Sequence, residues 1–543
     1  TVSRHREAYL RHWQKRMDRA AVPAYAPDHL ATGDESAPLR GVYEIRLSTE
    51  NSVEHPHFGT DLQVTFTRPD GSTATVDGFY DGDGRYKARA YADTTGRWRW
   101  TSTSNADELD GRSGSFTVVD SPLKGKLRIH PEDPHQFAYD DGSWFLHLGD
   151  TGYRYVVNSE PKWRSYIDQA AQMGATKVRT WFARARSTVG ALFNEDRDGL
   201  NLSYWQEIDH RLRYALEKHP NLQFLLIPYA EDTDALRRYP EGDSLTQFVA
   251  EYAQARFSAF PNVHWEISND REIVTDDGAP EGREVRHSTI AEIGRDMAAR
   301  EPWGTLLTNQ QARYGGYSFV DAPWSDITTL EDLDQVEGAL IETYRQEDKA
   351  PVVIDEDRYE YWRNPAHDRY FFRRLMWASL LSGGHATYGG LRTYEAYDGG
   401  PTRGVQGYFD ANRAGVLEQG AHDFRHIHNF FRETELTLVG FQPADAMCGA
   451  DSARWKCARR DGTVIAYLAN PSGETPKTDA PAAEPPEITV KLPDGRFNVR
   501  WFNPSSGTWT EDDPVSGGTR TLSAPNLEPN HSEDWVLLLR DRK

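Results

Sequence analysis

The sequence has little cysteine and no long apolar run, and each absence excludes a class of protein. Cys448 and Cys457 are the only cysteines among 543 residues, which excludes a disulfide-rich scaffold and a cysteine metal site. The two could pair across a hairpin, but by default we treat them as separate thiols. No apolar segment approaches the roughly 18 residues that cross a bilayer, so we expect no membrane partner.

Positive charge is also scarce. The chain carries 62 Lys and Arg against 83 Asp and Glu, a net charge of -21. Nucleic-acid binding needs a basic face, so we expect no nucleic-acid partner. The charge also disfavours an acidic polymer as substrate unless local arginines override it. Its main effect is solubility.

No apolar leader stands at the start of the sequence, which is polar and charged. We therefore expect a cytoplasmic protein, or a secreted one if the sequence is a mature form. Homo-oligomerisation stays open.

The hydrophobic pattern changes along the chain and predicts a multidomain protein. Residues 1–22 have the spacing of an amphipathic helix, and residues 23–122 alternate like an immunoglobulin-like β-sandwich. Over residues 123–435, eight strand patterns alternate with helical patterns, which predicts a central (β/α)8 TIM barrel. Residues 436–543 return to alternation and predict a second, smaller β-sandwich.

The barrel prediction rests on eight short apolar runs. We expect barrel strands at residues 145–149, 176–182, 223–229, 263–269, 305–308, 326–329, 351–355 and 385–389. Helical patterns lie at residues 162–173, 204–218, 245–259, 284–300, 333–347, 368–381 and 423–434. After the fifth strand, residues 315–324 read as a loop.

Two of these strands end in carboxylates. The fourth runs into Asn269 and Asp270, and the seventh ends at Glu356. Active sites of TIM barrels lie at the carboxyl ends of the strands, and paired carboxylates are the machinery of glycoside hydrolysis. We therefore predict a retaining glycosidase that cleaves an oligosaccharide or glycoside, with Asp270 as general acid/base and Glu356 as nucleophile.

Other polar and aromatic side chains close the remaining strands. Arg179 could hold Glu356 ionised, because a nearby cation lowers a carboxylate's pKa, and Asn269 could bind a sugar hydroxyl. The predicted substrate-binding residues are Asp150, Arg179, Trp181, Tyr229, Asn269, Arg358 and Tyr388. We expect no organic cofactor and no required metal, because the strand ends lack clustered His or Cys and the chain lacks a phosphate-binding glycine loop.

Alternatives remain for residues and for function. Glu266, on the same strand face as Asp270, and Glu272 are rival acids, and Asp355 and Asp357 are lesser rivals for the nucleophile. A non-catalytic glycan-binding barrel is one alternative function. An inverting hydrolase or a lyase acting on uronic acids is another, for which Arg179, Arg184, Arg186 and Arg358 would supply the positive charge.

Several motifs resemble those of a known family. The stretches are Phe145-Leu-His-Leu-Gly-Asp-Thr151, Trp265-Glu-Ile-Ser-Asn-Asp270, Pro351-Val-Val-Ile-Asp-Glu356 and Arg374-Leu-Met-Trp-Ala-Ser-Leu-Leu-Ser-Gly-Gly384. They resemble the apiosidase-like glycoside hydrolases, of the clan with the acid/base on strand four and the nucleophile on strand seven. The resemblance implies these roles for Asp270 and Glu356, although much of the clan has Glu in place of Asp270.

The flanking regions carry resemblances of their own. Gly78-Phe-Tyr-Asp-Gly-Asp-Gly84 is similar to the domain that commonly precedes such barrels. Trp501-Phe-Asn-Pro-Ser-Ser-Gly507 and Asp534-Trp-Val-Leu-Leu538 are similar to a C-terminal module named for collagen binding. We infer no collagen binding from that name.

Overall fold

The computed structural model of the chain describes most of the three predicted folded regions. It covers residues 30–32, 36–50, 56–157, 162–183, 188–347, 350–362, 367–390, 410, 413–449, 454–469, 485–525 and 534–542. The predicted N-terminal helix at residues 1–22 lies outside the described residues, as do Arg184 and Arg186. No helix in the described ranges is long and apolar enough to cross a membrane.

The N-terminal region is a β-sandwich, as predicted. One sheet has the strand order Leu30–Thr32, Val42–Ser48, Arg85–Tyr91 and Phe79–Tyr80. The other has the order Ala37–Pro38, Ser113–Val119, Gly96–Ser104, Leu62–Thr67 and Thr73–Asp77. Alternate side chains of both sheets form the core, where Tyr43 stacks on Phe116 with ring centroids 3.7 Å apart and Trp98 is fully buried.

The central region is an eight-stranded parallel barrel, which confirms the predicted fold class. In chain order its strands are Gly149–Asp150, Lys177–Trp181, Gln223–Ile227, Val263–Glu266, Leu307–Thr308, Thr328–Glu331, Val352–Glu356 and His385–Tyr388. Each pairs with the next, and the first pairs with the eighth. A parallel bridge between Gln310 and Thr329 joins the fifth strand to the sixth.

The barrel helices occupy the predicted segments with small shifts, except that the helix predicted from residue 333 begins at Ala339. They are Lys162–Met173, Leu202–Lys218, Ser244–Phe257, His287–Ala299, Ala339–Glu347, Arg369–Leu381 and Phe424–Thr434. Two short helices, Thr188–Leu192 and Thr233–Arg238, follow the second and third strands. The helix predicted from residue 284 begins at His287, because Glu284–Arg286 pairs as a strand with Glu272–Val274. Residues 315–324 contain no helix, as expected.

The predicted first barrel strand is divided between two sheets. Trp144–Phe145 pairs with Asp133–Tyr139, which pairs in turn with Leu127–His130. The barrel strand itself begins only at Gly149. Phe137 and Phe145 of the small sheet pack against Leu306 and Val353, so this sheet extends the barrel's core.

The C-terminal region is one antiparallel sheet of six strands with its own core. Its order is Gln442–Pro443, Trp455–Arg460, Thr463–Leu468, Trp535–Asp541, Glu487–Asn503 and Thr508–Ser523. The described strands form this single sheet, where two packed sheets were expected. Cys448 and Cys457 are joined in a disulfide at the edge of this core. Our default of two separate thiols is therefore wrong.

Candidate active site

Glu356 ends the seventh barrel strand, and hydrogen-bond donors surround its carboxylate. Tyr153 O–H donates to Oε2 at 2.5 Å, Arg179 Nη1 at 3.1 Å and Gln310 Nε2 at 3.4 Å. Tyr359 O–H donates to Oε1. Burial raises the pKa of Tyr153 well above its usual value, so its hydroxyl stays a donor. The carboxylate is thus fixed in orientation and only 8% of the residue is exposed.

Arg179, at the second strand, links Glu356 to Glu266 of the fourth. Its guanidinium binds Glu266 through two bonds, Nε to Oε2 at 2.9 Å and Nη2 to Oε1 at 2.5 Å. Glu266 is fully buried, and burial raises its pKa to about 7 against the lowering effect of Arg179. The rival acid Glu266 is therefore engaged in positioning Arg179.

Asp270 follows the fourth strand in a left-handed backbone conformation, with φ of 55°. For a residue other than glycine this conformation costs on the order of 1 kcal/mol. Its backbone is held by bonds on both sides, since its N–H donates to Gln310 Oε1 at 3.3 Å and its carbonyl accepts from Arg283 Nη2 at 2.5 Å. The side-chain carboxylate forms an ion pair with Arg283.

One amide side chain connects the two predicted catalytic residues. Gln310, after the fifth strand, accepts from the Asp270 N–H and from Arg179 Nη2, the latter at 2.5 Å. The same side chain donates to Glu356 Oε2. The ends of the fourth and seventh strands therefore meet in a single hydrogen-bonded network at the mouth of the barrel.

Two further carboxylates lie at this mouth. Glu331 ends the sixth strand in register with Glu356, and burial together with the charges of Glu356 and Asp270 raises its pKa to about 9. Glu231 follows the third strand, and burial together with the charge of Asp270 raises its pKa. Arginines offset part of this negative charge: Arg313 contacts Glu331 at 2.9 Å and Arg271 contacts Glu231 at 3.5 Å.

Aromatic rings form one wall of the site. Trp181 stacks on Tyr153 with centroids 4.6 Å apart and planes 13° from parallel. Its indole N–H donates to Asn269 Oδ1 at 3.0 Å. Tyr359 and Trp362 pack beside this pair. The structure thus brings the predicted Arg179, Trp181 and Asn269 together with the two carboxylates predicted to be catalytic.

Four predicted substrate-binding residues are engaged elsewhere. Tyr229 donates to the Thr246 carbonyl at 2.7 Å, and Tyr388 donates to Glu360. Asp150 accepts from Tyr166 at 2.5 Å, and Arg358 binds Asp334 at 2.6 Å. Tyr229, Tyr388 and Asp150 are fully buried, so their polar atoms serve the barrel's interior. The structure places none of the four in the Asp270–Glu356 network.

The remaining rival carboxylates also have other partners. Asp355 forms a buried ion pair with Lys177 at 2.5 Å, beneath the mouth. Asp357 accepts the backbone N–H groups of residues 334 and 335, and Glu272 is exposed on its small strand pair. The alternative of a lyase acting on uronic acids needs arginines that bind the substrate's carboxylate. Arg179 instead pairs with Glu266 and Glu356, and Arg358 pairs with Asp334.

Sequence reasoning missed Tyr153, Tyr359, Gln310, Glu331 and Glu231 as members of the site. Gln310 and Glu231 stood among the polar strand ends and could have been chosen from there. Glu331 was missed because the sixth strand was predicted to end at residue 329, whereas it ends at Glu331. Tyr153 and Tyr359 lie in loops, three residues beyond Asp150 and Glu356, where no strand pattern identifies them.

Metal ligands are not grouped at this mouth. Within the described residues, no cluster of three or more His, Cys, Asp or Glu side chains has a geometry that could hold a metal ion. The chemistry that these residues can perform is proton transfer and nucleophilic attack by carboxylates, with charge stabilisation by Arg179.

Comparison with known proteins places the chain in a family. The model of the apiosidase-like catalytic domain matches residues 132–437, which is more than half of the chain. The protein belongs to the apiosidase-like family. It is therefore a glycoside hydrolase, and the matched residues contain the whole site described above. A domain of unknown function, DUF5060, matches residues 41–105 within the N-terminal sandwich.

Solved structures share the fold of this apiosidase-like protein. A candidate glycoside hydrolase from Bacteroides vulgatus has a TM-score of 0.72 at 17% identity, covering 95% of this chain and 100% of its own. A family 5 glycoside hydrolase from the same organism has a TM-score of 0.61 at 14% identity, covering 77% and 94%. At such identities the likeness shows the architecture alone. No curated protein matches the chain.

Proposed function

We propose that the protein is a retaining glycosidase in which Glu356 is the nucleophile and Asp270 the general acid/base. The observation that carries this proposal is the network through Gln310, which contacts the Asp270 backbone and the Glu356 carboxylate at once. Retaining chemistry needs its two carboxyl groups about 5–5.5 Å apart, on either side of the scissile bond. The shared contact with Gln310 brings together the two strand ends that carry these carboxyl groups.

The first step forms a covalent intermediate. A Glu356 oxygen attacks the anomeric carbon, and the bond from that carbon to the leaving oxygen breaks. The Asp270 carboxyl gives its proton to the leaving oxygen, so the aglycone departs as a neutral alcohol. The Tyr153, Tyr359 and Arg179 donors hold the Glu356 carboxylate in a fixed orientation before the attack.

The second step releases the sugar. Asp270, now a carboxylate, takes a proton from water, and the water oxygen attacks the anomeric carbon. The bond to Glu356 breaks and the carboxylate returns to its donors. Two inversions at one carbon leave the anomeric configuration unchanged.

The aromatic wall supports a carbohydrate ligand. Trp181, Tyr153, Tyr359 and Trp362 form one aromatic cluster, and the hydroxyls of Tyr153 and Tyr359 bind Glu356. Ligand pockets are commonly lined by such aromatic side chains. Arg283 and Arg313 border the same mouth with side chains about two-fifths exposed. We propose an oligosaccharide or glycoside as substrate, bound in a pocket rather than along an open groove.

A screen of aryl glycosides and oligosaccharides tests the function. We expect the wild type to hydrolyse one sugar class and Glu356→Gln to lose that activity, because an amide cannot act as the nucleophile. Asp270→Asn should lose roughly 10²–10⁴-fold on substrates with poor leaving groups, the usual contribution of general acid catalysis. Aryl glycosides with good leaving groups should be affected much less.

Glu272→Gln is the matched control. It removes the same functional group from an exposed rival position, and it should leave the rate unchanged. Loss of activity in Glu272→Gln together with full activity in Asp270→Asn would show that Glu272 is the general acid and that the assignment to Asp270 is wrong. No hydrolysis of any glycoside by the wild type would contradict the proposed function.

A further inference from the structure

A cavity of about 680 Å³, the interdomain cavity, lies between the N-terminal sandwich and the outer surface of the barrel. The sandwich strands Leu62–Thr67 and Gly96–Ser104 contribute to one wall, and the barrel helix Ser244–Phe257 and Arg300 form the other. Ligand sites typically have volumes of about 300–1,000 Å³ and often lie at domain interfaces. None of the described lining residues belongs to the Asp270–Glu356 network, so the cavity is separate from the catalytic mouth.

Bonds between the two domains fix the walls of the interdomain cavity. Tyr252 O–H, on the barrel helix, donates to the carbonyl of Tyr80 in the sandwich at 2.6 Å. One turn further along the helix, Arg256 Nη1 donates to Asp81 Oδ1 at 2.8 Å in a buried ion pair. The two walls are therefore held in a fixed relation, and the cavity is formed before any ligand binds.

Aromatic rings line both walls. On the sandwich side Tyr80 lies beside Tyr86, with ring centroids 5.1 Å apart. On the barrel side Phe248 lies beside Tyr252, with ring centroids 5.6 Å apart. Tyr80 and Phe248 are half-buried, so part of each ring is open to solvent. A flat apolar ring is the surface on which the C–H face of a sugar packs.

Pairs of planar polar side chains accompany these rings. Gln63 Nε2 donates to Asp77 Oδ1 at 3.2 Å on the sandwich side, and Arg300 Nη2 donates to Glu251 Oε1 at 2.7 Å on the barrel side. The side chains of Glu251 and Arg300 are 37% and 29% exposed. An amide or guanidinium beside a carboxylate offers donors and acceptors together, which matches neighbouring sugar hydroxyls.

The charge and polarity of the lining restrict the ligand further. Three carboxylates line the interdomain cavity, Asp61, Asp77 and Glu251, against one guanidinium, Arg300. Burial lowers the pKa of His57, so this residue of the lining adds no positive charge near neutral pH. The net negative charge disfavours a phosphate or a uronic acid. A lipid tail would leave the polar groups unpaired, whereas a neutral polyhydroxylated ligand fits both conditions.

We propose that the interdomain cavity is a non-catalytic binding site for a neutral glycan, separate from the site that cleaves the glycosidic bond. Its occupant is a short run of sugar units of a neutral polysaccharide. Tyr80 and Phe248 contact the sugar faces, and the Gln63–Asp77 and Glu251–Arg300 pairs bind the hydroxyls. Such a site keeps the enzyme on its polymer between cleavage events, and it does not depend on which carboxylate is the acid.

Native affinity electrophoresis of the full chain tests the proposed glycan site. The chain carries Glu356→Gln, so that the proposed mechanism cannot cut the polymer. Each gel contains one soluble polysaccharide: β-glucan, galactomannan, arabinoxylan or, as the anionic probe, polygalacturonate. We expect at least one neutral polymer to retard the chain and polygalacturonate to leave it unretarded. Retardation by polygalacturonate alone, or by no polymer, would overturn the proposal.

Substitutions on opposite walls, made in the same background, locate the binding. Phe248→Ala should weaken affinity for the retained polymer about tenfold, the usual order for loss of an aromatic anchor. Gln63→Ala removes an exposed amide, which does not endanger folding, and should weaken the affinity severalfold. Gln172→Ala, at an exposed glutamine of the barrel helix Lys162–Met173, is the matched control and should leave retardation unchanged. Unchanged retardation in both cavity variants would overturn the proposal.

Hydrogen–deuterium exchange of the same chain with a hexasaccharide of the retained polymer shows where the glycan binds. Protection should appear in peptides that cover residues 62–67, 77–86 and 244–257, which line the interdomain cavity. Protection confined to peptides that contain residues 266–271 and 352–359 would mean binding at the catalytic mouth only. That result would overturn the proposal.

These measurements separate this inference from the proposed function. If the wild type hydrolyses no glycoside while the cavity variants lose retardation, the proposed function fails and the glycan site stands. If hydrolysis occurs and neither retardation nor protection depends on the interdomain cavity, the inference of a glycan site alone fails.

Discussion

Arg179 forms ion pairs with two carboxylates, Glu266 and Glu356. Glu266 holds the guanidinium by two bonds in the buried interior, and the remaining Nη1 is left to reach Glu356 at 3.1 Å. A bidentate arginine–carboxylate pair fixes direction as well as charge. Glu266 therefore acts on Glu356, the proposed nucleophile, through Arg179.

Glu266→Gln should lower kcat with little change in KM. The amide cannot hold Arg179 by two charged bonds, and a nucleophile displaced by about 1 Å loses on the order of a hundredfold in rate. Steady-state kinetics on the wild-type substrate measure both constants. Equal kcat in Glu266→Gln and wild type would contradict the positioning role, and Glu272→Gln is the control for removal of a glutamate from the same segment.

At the scale of elements, the sequence predicted the strands better than their ends. The apolar runs identified every barrel strand, because a strand buried on both faces has no polar alternation. Strand ends were less certain: the sixth was predicted two residues short, and Phe145 was assigned to the barrel instead of the small sheet. The error in the sixth strand removed Glu331 from the predicted site.

Loop residues were beyond the reach of periodicity. Tyr153 and Tyr359 reach Glu356 from turns whose course depends on tertiary packing. Conversely, Tyr229 and Tyr388 lie at strand ends as expected, but their hydroxyls bond into the interior. A strand pattern gives the position of a residue and does not give the partner of its side chain.

The disulfide between Cys448 and Cys457 joins the segment between the first two strands of the C-terminal sheet to the second of them. We propose, against the expectation of a cytoplasmic protein, that the chain works in an oxidising compartment, where such bonds persist. The Cys448→Ser, Cys457→Ser double variant should lose about 2–3 kcal/mol of unfolding free energy, the usual effect of a short closed loop.

Thiol titration and denaturation check this pair together. Unfolded, unreduced wild type should show no reactive thiol, and the double variant should unfold at lower denaturant. Two reactive thiols in the unreduced chain would contradict the disulfide. Glycosidase activity should survive, because the bond lies outside the barrel.

For the whole molecule, buried ion pairs join the sandwich to the barrel. Asp209 of a barrel helix contacts Arg89 of the sandwich at 2.7 Å and Arg256 of a second helix at 2.9 Å. Burial alone would raise the pKa of Asp209, but these arginines and Arg213 hold it well below its usual value. The domains are therefore coupled through a charge that stays ionised.

Asp209→Asn should lower the unfolding free energy by about 3–5 kcal/mol, because it leaves buried arginines without their countercharge. In the wild type this contribution is present above about pH 4, the usual pKa of Asp, and is lost as the pH falls further. Denaturant unfolding at pH 7 measures the effect. Glu511→Gln, at an exposed pair with Arg500, should change stability by less than about 1 kcal/mol. Equal effects of the two variants would contradict the coupling.

The central claim is that Glu356 becomes covalently attached to the sugar. Once the screen has identified the sugar, its 2-deoxy-2-fluoro glycoside with an activated leaving group should trap the intermediate. The fluorine slows both steps by destabilising their oxocarbenium-like transition states, and the activated leaving group speeds only the first, so the intermediate accumulates. Mass spectrometry of the digested protein should then show one added glycosyl group on the peptide that contains Glu356. A glycosyl group on any other residue, or full turnover with an inverted product and no adduct, would contradict the account.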